Sequence, residues 1–233
     1  MPCTLPASLA DAAVCRGSFH AVLGGEVEDT AFADFSAALQ KAQAEGQILT
    51  ASLFRYENHL FFYAEGLNRP FTPQGLCPAL DAALLPWPPA LGEAAPRPWA
   101  AMQPYFYHDV PTTAADWQQG RCPQRRRGRI ALLPPDSWCS YMEHHLRIVT
   151  EGLVEGDRWH LICVQEGVLF SYLEEPRTNV NIKHRPGAHS PELDAWIAAD
   201  PESHFARFTP EQKAHPDSGH NFVFLSRIAG TED

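Results

Sequence analysis

One phrase occurs twice in this chain and sets the scale of anything it can fold into. Glu57 to Glu65 reads E-N-H-L-F-F-Y-A-E, and Glu166 to Glu174 reads E-G-V-L-F-S-Y-L-E. Glu, Leu, Phe, Tyr and Glu recur in the same order, 109 residues apart in a chain of 233. The offset is close to half the length, so the sequence reads as one small domain written twice, with diverged copies. The copy that kept reactive side chains is where function is to be sought.

Hydrophobic periodicity extends the repeat outward from the phrase. In the first copy, Phe19 to Leu23 reads as a strand. Asp29-Thr30 offers an N-cap, and Phe32, Phe35, Leu39 and Ala42 follow at helical spacing until Gly46. Ile48 to Tyr56 and His59 to Glu65 read as a hairpin. Gln74 to Leu85 has helical periodicity, and a proline-rich stretch from Pro86 to Pro98 cannot be helix interior. Met102 to His108 reads as a last strand, with Pro104 pointing to a sheet edge. The second copy runs in parallel. Arg129 to Leu133 is a strand, and a helix capped by Asp136 or Ser137 continues to about Leu153. Arg158 to Gln165 and Val168 to Glu174 form the hairpin. A polar loop from Pro176 to Ser190 carries Asn179, Asn181, Lys183, His184, Arg185 and His189. Pro191 to Phe208 is helical with a break at Pro201, and Asn221 to Ile228 is the closing strand.

Each copy thus reads β-α-β-β-α-β, the ferredoxin-like order. The expected fold is α+β, two tandem ferredoxin-like repeats that pack sheet against sheet as an α+β barrel, since one such sheet has a bare face to cover. The divisions are residues 1–17 as an N-terminal extension, 18–110 as a structural first repeat, 111–128 as a linker and 129–233 as the repeat with the candidate site.

Bulk properties exclude several classes. A hydrophobic content of 45% supplies a core, which argues against disorder. A formal charge of −10 argues against nucleic acid or an anionic membrane as partner. The basic run Arg125-Arg126-Arg127 with Arg129 reads as a solvated linker face. Six scattered cysteines form no C-x-x-C pair, the N-terminus lacks a signal-peptide pattern, and no apolar run is long enough to cross a membrane. The expectation is a reduced, cytoplasmic protein, either a monomer with an intramolecular barrel or a homodimer, that binds a small molecule.

The candidate chemistry lies on the first helix of the second copy, Tyr141-Met142-Glu143-His144-His145. Tyr141 and His145 are four apart and share one helix face. A phenol beside an imidazole can move protons, or can simply be a hydrogen-bonded core pair. By the constant offset, the first copy has Phe32 and Ser36 at these positions, which cannot do the same work. Trp138, Trp159 and Tyr172 could form an apolar platform or belong to the core.

Y-x-x-x-H on that helix, followed by Leu169-Phe170-Ser171-Tyr172-Leu173-Glu174, resembles the L-rhamnose mutarotase family of dimeric ferredoxin-like α+β barrels. The resemblance implies interconversion of sugar anomers, with Tyr141 and His145 catalytic and no metal or organic cofactor. Trp138, His160, Tyr172, Glu174, His204 and Phe205 are the expected substrate-binding residues around that pair. The family's tryptophan pair on the second helix is not reproduced; His204-Phe205 is the nearest match, with Trp196 a little before it. Doubled barrels of this length also resemble the chlorite dismutase group, which would make one of the second copy's many histidines a heme ligand. A metal site on His184 and His189, and a non-catalytic binding module, are further alternatives.

Overall fold

A computed structural model describes residues 5–177, 179, 182–213 and 217–231. Asn181 of the polar loop, His215 among the second copy's histidines, and Cys3 lie outside the described residues. In chain order the elements are β1 (Val14–Val22), α1 (Asp29–Ala44), β2 (Ile48–Tyr56), β3 (His59–Leu67), α2 (Pro78–Ala82), β4 (Ala100–Ala101), β5 (Gln103–Tyr107) and α3 (Ala114–Gln118). There follow β6 (Arg125–Leu132), α4 (Pro135–Glu151), β7 (Val154–Glu155), β8 (Leu161–Gln165), β9 (Val168–Glu175), β10 (Lys183–His184), α5 (Pro191–Ala198), β11 (Val223–Phe224) and β12 (Ser226–Gly230). The fold is α+β with antiparallel sheets.

The chain forms two compact units. One comprises Met1–Met102, Pro111–Pro123 and Ser226–Asp233, the other Gln103–Val110 and Gln124–Leu225. Their five-stranded sheets have the orders β12-β2-β3-β1-β4 and β11-β6-β9-β8-β5. Read from the opposite edge, the second order matches the first: β5 takes the place of β12, and β11 the place of β4. Each sheet therefore takes one outer strand from the other half of the sequence. β5 follows β4 directly yet pairs with β8, and β12 follows β11 directly yet pairs with β2.

This exchange corrects the contiguous divisions expected at 18–110 and 129–233. The run Asn221 to Ile228 is two strands rather than one, one pairing with β6 and the other with β2. A single apolar run carries no mark of such a change of partner. Pro104 does sit in an edge strand, beside a register shift. The expected linker 111–128 is also largely structured: it holds α3, capped by the Thr113 hydroxyl accepting from Asp116 N, and the start of β6. The helix expected at Gln74 to Leu85 shrinks to the five residues of α2.

The hairpins agree with the sequence because their turn chemistry is local. At the β8–β9 turn, Glu166 and Gly167 have φ of 50° and 77°, the left-handed pair of a tight primed turn. α4 starts with Pro135 at its first turn, where its preset φ is favourable, and stops at Gly152 in the left-handed conformation. α5 is capped by the Ser190 hydroxyl accepting from Leu193 N at 3.0 Å.

The repeated phrase has a structural meaning in both units. Tyr63 Oη donates to Glu65 at 2.7 Å, and Tyr172 Oη donates to Glu174 at 2.6 Å. Arg121 meets Glu65 through two nitrogens at 2.7 and 3.0 Å, and Trp117 Nε1 donates to it at 3.0 Å. Arg126, opposite Glu174 in the β6–β9 register, lies 3.4 Å from it. Burial alone would push the Glu65 carboxyl up, but the Arg121 guanidinium and its hydrogen bonds, with Arg16 and Tyr63, hold it below its ordinary value.

The basic run is thus not a solvated face. Arg126 and Arg127 are buried, and Arg127 pairs with Glu175 at 3.0 Å and Asp217 at 2.8 Å. An acidic strand end, Glu174-Glu175, lies opposite the arginines in the ladder.

Two outcomes test this architecture. Arg121→Ala removes the bidentate cation of a buried carboxylate and is expected to cost about 3–5 kcal/mol in denaturant unfolding. Truncation after Leu225 should lower hydrogen-exchange protection of those amides in Ser52–Arg55 that face β12, while those facing β3 keep theirs, although the deleted residues lie at the opposite end of the sequence.

Candidate functional site

The second unit carries a cavity of about 510 Å³ that opens to solvent, inside the roughly 300–1,000 Å³ span of small-molecule sites. The pleat decides which strand residues reach it. On β9, Leu169 and Ser171 line the cavity, so Phe170, Tyr172 and Glu174 point to the opposite face of the sheet. On β6 the same alternation separates Arg129, a wall residue, from Arg126.

The helices supply the reactive wall. On α4, Tyr141, His145 and Ile148 are buried at i, i+4 and i+7. Tyr141 and His145 line the cavity with ring centroids 4.2 Å apart. From α5, Leu193, Trp196 and Ile197 reach the same wall, and Trp196 packs edge-on against Tyr141 at 5.2 Å and His145 at 4.7 Å. From β5, Phe106 meets the His145 ring edge-on at 4.6 Å.

His145 Nδ1 lies 2.9 Å from the Tyr141 backbone oxygen. A carbonyl only accepts, so Nδ1 carries the proton and Nε2 keeps its lone pair. Burial pushes the His145 pKa down to about 4; the Tyr141 carbonyl opposes this, and His144, His204 and His108 reinforce it. The imidazole is therefore neutral through the physiological range. Burial raises the Tyr141 hydroxyl to about 12, with Tyr105 and Arg129 lowering it and Glu202 raising it. The phenol is correspondingly a neutral donor.

The remaining polar wall is His108, Arg129, Asp157, His160, Arg177 and Glu202. Arg177 Nε lies 3.3 Å from Asp157 Oδ2. Burial lowers the His108 pKa to about 4, with Asp157 raising it and Arg177 lowering it. Gly156 makes room for that ring, since a Cβ built there would fall 2.0–2.3 Å from three of its atoms.

The sequence candidates separate accordingly. Tyr141, His145, His160 and Phe205 line the cavity. Tyr172 and Glu174 do not; they belong to the buried network on the far face. Trp138 is 42% exposed and off the wall; it shares the helix face of Tyr141 and His145 but sits in the first turn of α4, a turn before the residues that reach the cavity. Trp159 is buried but is not a wall residue. His204 sits behind Tyr141 and Trp196, at centroid distances of 5.9 and 5.3 Å, with Nε2 3.4 Å from the Ser140 hydroxyl.

The expected polar loop contains a short strand, β10, paired with β7. His184 and His189 there stack at 5.9 Å, and both face Asp194, at 3.7 and 3.0 Å. Among the described residues no group of three or more His, Cys, Asp or Glu is placed to hold a metal.

The constant offset also misassigns the first copy's counterparts. Phe35 and Tyr141 are each the seventh residue of their helices, Leu39 and His145 each the eleventh, and Ala42 and Ile148 each the fourteenth; all are buried. The counterparts are Phe35 and Leu39, not Phe32 and Ser36. The loop before α1 is longer than that before α4, so the 109-residue register fails within the helices. The asymmetry deepens: the first copy's equivalent face is wholly apolar, with Phe35 packed between Phe62 and Trp99.

Sequence reasoning missed His108, Arg129, Asp157, Arg177, Trp196 and Glu202 as a polar and aromatic wall. They come from separate segments, and only two left a trace: Arg129 as the odd member of a basic run, and Trp196 beside the position of the missing tryptophan pair.

No known protein-family model matches the chain, and no curated protein matches it. Two solved structures align with it at a TM-score of 0.40. One, described as a putative monooxygenase from Fusobacterium nucleatum subsp. nucleatum ATCC 25586, has 11% identity over 94% of each chain. The other, a putative monooxygenase from Lactobacillus acidophilus NCFM, has 7% identity over 94% of this chain and 96% of its own. No helix among the described residues is long and apolar enough to cross a membrane.

Gly156→Ala should drive the His108 ring out of place and cost about 1–3 kcal/mol by overpacking. In a double-mutant cycle read by thermal melting, His108→Ala should restore part of that loss, because it removes the atoms the new methyl meets.

Proposed function

We propose that the second unit is an acid–base isomerase that opens and recloses the ring of a small hydroxylated aldehyde, an anomerase acting on a sugar. The observation that carries this reading is the neutral imidazole–phenol pair on one cavity wall, with the lone pair of His145 Nε2 left available by the Nδ1 bond to Tyr141 O. In this reading the chain is a tandem ferredoxin-like α+β barrel of a reducing cytoplasm, in which the first repeat is structural. The mirrored sheet orders and the free cysteines Cys15, Cys77, Cys122, Cys139 and Cys163 support those two statements.

The chemistry needs two proton transfers. His145 Nε2 takes the proton from the anomeric hydroxyl while the bond from the anomeric carbon to the ring oxygen breaks. Tyr141 Oη gives its proton to that oxygen, leaving an open-chain aldehyde. Rotation about the bond to the aldehyde carbon presents its other face. Reclosure returns both protons, from imidazolium to the new anomeric oxygen and from the ring hydroxyl to the phenolate. Arg129, which already lowers the Tyr141 pKa, favours the transient phenolate. Trp196, Phe205 and Phe106 provide apolar faces for the sugar's C–H groups.

Exchange NMR on a panel of free aldoses tests this. Wild-type protein should accelerate anomer exchange of at least one sugar, and His145→Ala should reduce that acceleration by about 10²–10⁴-fold. Tyr141→Phe should also lose most of it. Because burial lowers the His145 pKa to about 4, the rate should stay level from pH 8 to near 5 and fall only as the imidazole gains its proton. A fall centred near pH 6.5, or an unchanged exchange rate across the whole panel, would remove the reading.

A further inference from the structure

The arginines of β6 are not equivalent. Arg126 faces Glu174, and Arg127 holds Glu175 and Asp217. Arg129, on the cavity face, has no carboxylate within ion-pair distance among the described residues, and its Nε is buried without a hydrogen-bond acceptor. The acids of the same wall are committed elsewhere. Asp157 holds Arg177 at 3.3 Å, and Glu202 Oε2 accepts from the Asn221 amide.

We propose that Arg129 is the anchor for a carboxylate on the substrate, so that the cavity takes an acidic sugar of the uronic acid class. This rests on the cavity being the substrate site argued above and adds the chemical class of ligand. The Phe222 ring packs against the guanidinium carbon at 4.4 Å, which occupies one face and leaves the edge donors for the cavity. That planar fork of N–H groups matches the two oxygens of a carboxylate. A partly buried guanidinium without a counter-ion is costly, and a ligand anion removes that cost.

Two further features agree. Arg177 lies on the same wall and repels Arg129, which, after burial, lowers the Arg129 pKa to about 10, with Tyr141, Tyr105 and Glu202 opposing. An anion bound to Arg129 offsets that repulsion as well. Arg177 already has its carboxylate in Asp157, and Glu202 acts on Arg129 without coming within ion-pair distance. With those two negative charges on the same wall, a monoanion such as a carboxylate is repelled less than a phosphate dianion.

The test compares sugars that differ at one carbon: D-glucuronate, D-glucose and D-glucose 6-phosphate, with the galactose and mannose counterparts, by calorimetric titration and exchange NMR on the full-length protein. At least one uronate should bind about 10–100-fold more tightly than its neutral aldose, the worth of one charged bidentate contact. Arg129→Gln should bring uronate affinity down to that of the matching neutral aldose, and Arg129→Lys should keep part of the preference. The comparison between ligands on wild-type protein stands even if a variant fails to fold. Equal binding of uronates and aldoses, tighter binding of the phosphates, or a preference that survives Arg129→Gln would each overturn the inference. Uronate binding that depends on Arg129 without faster anomer exchange would sustain it while removing the isomerase reading. Equal acceleration of neutral and acidic sugars would do the reverse.

Discussion

A carboxylate buried in the middle of a sheet must be met by a cation, and in this protein that requirement arises once in each unit. Glu65 and Glu174 lie at the ends of the two copies of one phrase, each receiving a tyrosine hydroxyl two residues earlier on the same strand face. Their cations reach them by different routes. Arg126 comes from the neighbouring strand, whereas Arg121 comes from the segment after α3, far along the chain. Leaving either acid unpaired would cost several kcal/mol. The pairings therefore restrict both the register of β6 on β9 and the path of the chain after α3.

The cavity is a consequence of that register. With Tyr172 and Glu174 held on one face, Leu169 and Ser171 must occupy the other. Arg126 and Arg129 divide in the same way across β6. A slip of one residue would place the network in the cavity and the cavity wall in the network. The site is thus built on the reverse side of a structural ion pair, and α4 and α5 close it with an aromatic stripe around Tyr141 and His145.

Strand exchange adds a second constraint. β5 and β12 each belong to one copy in sequence and to the other unit in space. Phe106 and His108, two wall residues of the second unit, are therefore encoded at the end of the first copy. The two units are therefore not separable by one cut in the chain. On the first unit's helix the equivalent positions hold Phe35 and Leu39, which contribute volume and apolarity to the core.

The sequence by itself determined the repeated phrase, the α+β class, both hairpins, the two long helices and the Tyr141–His145 pair. These depend on local turn chemistry and on periodicity, which act within a few residues. Only the tertiary structure decided that β5 and β12 change sheets, that the basic run is buried against acids, that Tyr172 and Glu174 face away from the site, and that Arg129 stands in a cavity without a counter-ion. The physical reason is common to all four. Strand pairing and charge compensation are settled between residues distant in sequence, and a sequence pattern records which side chains need partners without recording which partners they find.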